Sequence, residues 1–83
     1  MSVDNVINDV KAEVLAATAL WPPMNSAHEG LGVIDEEFFE LKQHIYMKQK
    51  HRDLSAMRKE AIQLAAMAVR FALEVCTEER GRK

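Results

Sequence analysis

The residues that break helices are confined to one short part of this chain. Of three glycines and two prolines, all but Gly81 fall between residues 22 and 32, as Pro22, Pro23, Gly30 and Gly32. The long stretches on either side hold no breaker, and long α-helices fill such stretches best. Only 6% of residues are aromatic against 48% apolar overall, so a core must come from Ala, Val, Leu, Ile and Met, side chains suited to close helix packing. The expected fold is all-α.

Periodicity places three helices. Val3, Val6, Ile7, Val10, Val14 and Leu15 recur at three- and four-residue steps, giving a helix over residues 3–20 that Trp21-Pro22-Pro23 ends, because proline disfavours the α conformation of the residue before it. Ser26 and Glu29 form a capping-box pattern opening a second helix, whose Leu31, Ile34, Phe38, Leu41 and Ile45 keep helical spacing to about residue 48. A glycine in its first turns would admit a close neighbour. After a basic stretch, Asp53 is a good N-cap for a third helix reaching about residue 79, which completes a helical hairpin. Apolar residues from Leu54 to Val75 cover most of the circumference of this last helix, which must therefore be buried on several sides. A hairpin plus one helix cannot enclose it, and a chain of 83 residues buries only about 60% of its unfolded surface. The expectation is one domain, with a core over residues 3–78 and a frayed tail at 79–83. A second copy would complete a four-helix-type bundle as a homodimer or homotetramer.

A net charge of −2 provides no basic field for nucleic acid and no polybasic membrane arm, and no apolar run is long enough to span a bilayer. The single cysteine, Cys76, excludes an internal disulfide, and the N-terminus lacks the pattern of a secretion signal, so a reducing cytoplasm is the expected location.

The densest acidic cluster is Asp35, Glu36, Glu37 and Glu40, with Glu37 and Glu40 three apart and so on one helical face. Such a cluster is either a solvated surface or a seat for a divalent cation, since magnesium takes hard oxygen ligands, waters and phosphates. On the third helix Glu60 and Gln63 are again three apart, and Glu40 and Glu60 lie about equally far from the hairpin loop, so the two pairs can face one another.

These residues carry a resemblance. Pro23-Met24-Asn25-Ser26-Ala27-His28-Glu29-Gly30, then Val33 to Leu41, resembles the second helix of MazG-like pyrophosphohydrolases, and Glu60 to Phe71 resembles their third. The family pattern is Glu-Glu-x-x-Glu, a spacer, then Glu-x-x-Asp. Glu36, Glu37 and Glu40 match its first half, and 19 residues separate Glu40 from Glu60. The resemblance implies helical dimers or tetramers that cleave a nucleoside triphosphate with water to the monophosphate and pyrophosphate, in keeping with housekeeping of the nucleotide pool. It implies Mg2+ held by Glu37, Glu40 and Glu60, with Glu36 flanking them; Glu36 is the candidate to orient the attacking water. Gln63 stands where the family has Asp. An amide oxygen can coordinate magnesium but adds no charge, so metal binding should weaken and activity could be reduced or lost. The rival expectation is a non-catalytic helical oligomer that has kept the fold.

Lys48, Arg58 and their basic neighbours near the hairpin tip could attract phosphates or be a hydrated surface. Arg70, inside the apolar helix, could pair with Glu74 or meet a phosphate. His28, His44 and His51 form no ligand set by spacing, Trp21 reads as a plug at a helix end more readily than as a base-stacking ring, and Cys76 reads as packing.

Overall fold

A computed structural model describes residues 2–76. Its order is α1 (Val3–Leu20), α2 (Ala27–Ile45), a 3-10 turn (Gln49–His51) and α3 (Leu54–Glu74), with no strand among the described residues.

Each start follows from its cap. The Ser2 hydroxyl accepts from the Asn5 amide, the Ser26 hydroxyl from the Glu29 amide, and the Asp53 carboxylate from the Ala56 amide, each at 3.1 Å. The box at Ser26 is half formed. The Glu29 carboxylate accepts from Asn25 Nδ2 at 3.4 Å. At the end of α1, Trp21 adopts extended backbone (φ −119°, ψ 143°), as a residue before proline must.

Two helix ends fall short of expectation. Helix α2 stops at Ile45 rather than 48, because the Arg52 guanidinium donates through Nε and Nη2 to the Ile45 carbonyl, at 3.1 and 2.7 Å, and closes the helix there. Helix α3 ends at Glu74 rather than 79, and the amides of Val75 and Cys76 both turn back to the Phe71 carbonyl. The tail expected at 79–83 lies outside the described residues.

Helix α3 is the spine, with both other helices lying against it. Arg58 reaches Asp9, Arg70 reaches the Pro22 carbonyl and Glu74 receives the Met24 amide, pairs separated by 49, 48 and 50 residues. That near-constant offset means α1 runs in the same direction as α3, while the short connection makes α2 antiparallel to it. The core is small: Val10 and Ala17 of α1, Met24 of the linker, Ala66 and Met67 of α3, and Val75, with Val14, Val33, Ile34, Ile62, Ala65 and Phe71 packed around it. Gly30 is buried where Phe71 crosses α2, and a Cβ there would come within 2.5 Å of Phe71 Cδ2, whereas one on Gly32 would meet nothing within 4 Å. The close neighbour expected at a glycine is therefore Phe71 at Gly30.

The apolar girdle of α3 is only partly covered. Met67 is buried and Leu64 and Phe71 are half-buried within the single chain, so the exposed apolar residues of α3 are instead Leu54, Ala61, Ala68, Val69, Ala72 and Leu73. On α2, Leu31, Phe38 and Ile45 are exposed at seven-residue steps, and on α3 so are Leu54, Ala61 and Ala68. Both sets lie on the side of the hairpin away from α1. No helix among the described residues is long and apolar enough to cross a membrane.

Candidate functional site

On α2 the line through Ile34 and Leu41 faces α3, and Glu37, Glu40 and His44, at steps of three and four, lie to one side of it. Helix α3 brings Glu60 to the same place. Each of Glu37, Glu40 and Glu60 offers one carboxylate oxygen, and these oxygens all lie within 4.8 Å of one another. All three residues are half-buried, so water cannot fully screen their mutual repulsion.

The site shows that strain in its proton affinities. The Glu37 carboxyl titrates above its ordinary value of 4.5, chiefly because burial disfavours its charge, then because of the charges on Glu40, Glu60, Glu36 and Glu13. The Glu40 carboxyl is also raised, first by a hydrogen bond shared with Glu60, then by burial and the Glu60 charge, with His44 pulling the other way. His44 Nε2 stands 4.0 Å from Glu60 Oε1. Glu37 Oε2 and Glu60 Oε2 are shielded from solvent and have no hydrogen-bond partner. An orphaned, buried carboxylate oxygen lacks the donor that normally offsets desolvation. Two of them beside a third carboxylate fit a hard divalent cation, which accepts several oxygen ligands and removes the repulsion.

Of two neighbouring cavities, only the larger includes a member of the triad, Glu37, in its lining. The larger, about 560 Å³, lies among all three helices and the linker; Glu36 and Glu37 form one wall, Gln63 and Arg70 another, and Trp21 and Met67 supply apolar surface. The smaller, about 470 Å³, lies between α1 and α3 and is lined by Asp9, Ser55, Arg58 and Lys59 among others. Glu13, Ala16 and Gln63 border both, and so form the partition between them.

The residues singled out from sequence are thus unequally placed. Glu37, Glu40 and Glu60 come together, and Glu36 and Gln63 share the larger cavity with Glu37. Arg58 lines the smaller cavity, where its Nη2 donates to Asp9 at 2.6 Å while its Nε is buried without a partner. Lys48 borders neither cavity and stands exposed at the start of the 3-10 turn. Arg70 is only 3% exposed, and its guanidinium donates to both Glu74 oxygens, at 2.7 and 3.1 Å, and to the Pro22 carbonyl. Glu74 in turn accepts from the Met24 amide at 2.8 Å, so Arg70 is the fastener between α3 and the linker as well as part of the cavity wall. Trp21 is not a plug: it is 64% exposed, at the rim of the larger cavity. Cys76 is exposed, so it is not packing.

Sequence reasoning missed two members. His44 follows Glu37 and Glu40 by seven and four residues, which puts it on their face, and that spacing was available to find it. Glu13 lies on α1's inward stripe between Val10 and Ala17, and an acid interrupting an apolar stripe was the available signal.

No protein-family model, curated protein or solved structure matches this chain.

Proposed function

We propose that this protein is a Mg2+-dependent nucleoside triphosphate pyrophosphohydrolase working as a homo-oligomer. The observation that carries the reading is the pair of orphaned oxygens, Glu37 Oε2 and Glu60 Oε2, in a triad whose carboxylates lie within 4.8 Å of one another beside a cavity of about 560 Å³. A plain surface cluster would leave its oxygens in water.

In this reading Glu37, Glu40 and Glu60 hold the cation. When bound, Mg2+ neutralises phosphate charge and favours attack by water at a phosphoryl centre. Glu36, exposed on the cavity wall beside Glu37, accepts a hydrogen bond from the attacking water and orients it. Trp21, Leu20 and Met67 offer apolar surface to a nucleobase at the other end of the same cavity. Arg58, with one guanidinium N–H buried and unpartnered, and Lys59 supply positive charge for phosphates on the far side of the partition. Products are the monophosphate and pyrophosphate.

The seven-residue repeats Leu31-Phe38-Ile45 and Leu54-Ala61-Ala68, exposed side by side along the hairpin, support a bundle completed by a second copy. A second reading, a helical oligomer without catalysis, is favoured by Gln63, whose amide gives the site one charge fewer than Asp would.

The deciding experiment is Mg2+-dependent pyrophosphate release from a panel of ordinary and modified nucleoside triphosphates. Release by the parent protein, lost in Glu37→Gln and Glu60→Gln variants of unchanged helicity, supports hydrolysis. No release from any substrate leaves the non-catalytic reading.

A further inference from the structure

We propose that the exposed face of the α2–α3 hairpin seats a second copy of this chain, turned antiparallel about a two-fold axis at the level of Phe38 and Ala61, with Asp35 of each copy paired to Lys42 of the other. The inference rests on the homo-oligomer reading and adds to it a symmetry and a register.

Two contacts fix which levels of the two helices stand side by side. Glu40 meets Glu60 and Gly30 meets Phe71, so ten residues back along α2 match eleven onward along α3. One or two steps from Glu40 and Glu60 then bring Phe38 and Phe39 level with Ala61 and Ile62. The exposed stripe Leu31-Phe38-Ile45 is centred on Phe38, and Leu54-Ala61-Ala68 is centred on Ala61. Both stripes therefore share one midpoint, as a self-complementary contact about a two-fold axis requires. A second copy turned over about that midpoint sets Leu31 against Ile45, Phe38 against Phe38, and the large Leu54 against the small Ala68. One chain leaves this face open, with Leu31 61% and Leu54 74% exposed.

The charges beside the stripe share the same midpoint. Asp35 lies three residues before Phe38, Lys42 lies three after Phe39, and their spacing of seven puts both along one side of α2 beside the stripe. The Lys42 ammonium lies 5.4 Å from the ring centroid of Phe38 and 5.9 Å from that of Tyr46, which holds it at the edge of the stripe. Among the described residues, neither Asp35 nor Lys42 forms an ion pair within the chain. In the antiparallel arrangement each Asp35 meets Lys42 of the other copy, twice over. The two stripes could also meet about an axis along the bundle, with α2 of one copy on α3 of the other. Lys42 would then stand at the level of Arg58 and Lys59, cation beside cations, and Asp35 at the level of Ala65 and Ala66, without a partner. Charge selects the antiparallel arrangement.

The test is sedimentation equilibrium of the full chain at low salt, helicity being checked by circular dichroism. An exposed ion pair is worth up to about five-fold in affinity. Asp35→Lys and Lys42→Asp each turn two attractive pairs repulsive, so each should weaken self-association about 10-fold. The double variant should regain the affinity of the parent, because the exchange restores both pairs. An equimolar mixture of the two single variants should associate more tightly than either alone, since one copy of each satisfies both pairs. If Phe38→Glu disperses the parent's oligomer but the mixture is no tighter than the single variants, the face is an interface and this pairing is overturned. If Phe38→Glu associates like the parent, the hairpin face is not the interface and the proposal fails while the homo-oligomer reading stands. If the parent is a helical monomer throughout, both fail.

Discussion

Gly30 and Gly32 sit two residues apart in the first turns of α2, and no glycine among the described residues has a positive φ, so alanine suits the backbone at either position. Replacing a helical glycine by alanine gains roughly 0.5–1 kcal/mol from conformational freedom alone. At Gly32 nothing opposes that gain, since no atom lies within 4 Å of a new Cβ. At Gly30 the Cβ would meet Phe71 Cδ2 and Cε2 at 2.5 and 2.7 Å and Met24 Sδ at 3.2 Å. The Phe71 ring lies against the core and cannot swing clear without displacing it. Overpacking of this kind costs about 1–3 kcal/mol. Gly32→Ala should therefore stabilise, and Gly30→Ala should be about 1–3 kcal/mol less stable than Gly32→Ala, a gap of at least about 4 °C in Tm for a domain of this size. Thermal and urea unfolding followed by circular dichroism, at one protein concentration, measures the difference. Equal stabilisation by both substitutions would refute the close crossing of α2 and Phe71.

Arg70→Met should cost about 3–5 kcal/mol in urea unfolding, because it strands the Glu74 carboxylate without the guanidinium that binds both its oxygens; a loss under about 1 kcal/mol would mean that the fastener contributes little to folding. The raised Glu37 and Glu40 carboxyls bind protons more tightly in the folded chain than in the unfolded one, so without metal stability should fall as pH rises from the ordinary value of 4.5 through their raised values. Glu37→Gln should flatten that slope in pH-dependent unfolding, and an unchanged slope would place the titration elsewhere. Light scattering should find oligomers at micromolar concentration, and Phe38→Glu, on the exposed heptad face, should shift the population toward monomer while leaving cation binding intact; a parent that is monomeric and fully helical would remove the bundle.

The helices were legible because their signals are local. Pro22 fixes the end of α1, Ser26 and Asp53 cap the next two helices, and the apolar spacing does the rest. The convergence of Glu37, Glu40 and Glu60 was legible too, since hairpin geometry sets which turns of α2 and α3 face one another. What escaped depends on the third helix or on reach. Nothing within α2 or α3 shows that α1 runs parallel to α3 and brings Glu13 to the partition, nor that Arg52 reaches back seven residues to close α2 at Ile45. The role of Arg70 stayed open for the same reason: its third partner, the Pro22 carbonyl, is 48 residues away.

The cation site itself is tested by the melting temperatures of the parent and Glu37→Gln, each with and without millimolar Mg2+. Removing one of three crowded carboxylates relieves repulsion when no cation is present, and removes a ligand when one is. A bound cation therefore requires the gap to shrink: Glu37→Gln melts above the parent without Mg2+, and the parent gains more from Mg2+ and closes or inverts the gap. If Glu37→Gln stays above the parent by the same margin in both conditions, and Mg2+ moves neither protein, the three glutamates hold no metal.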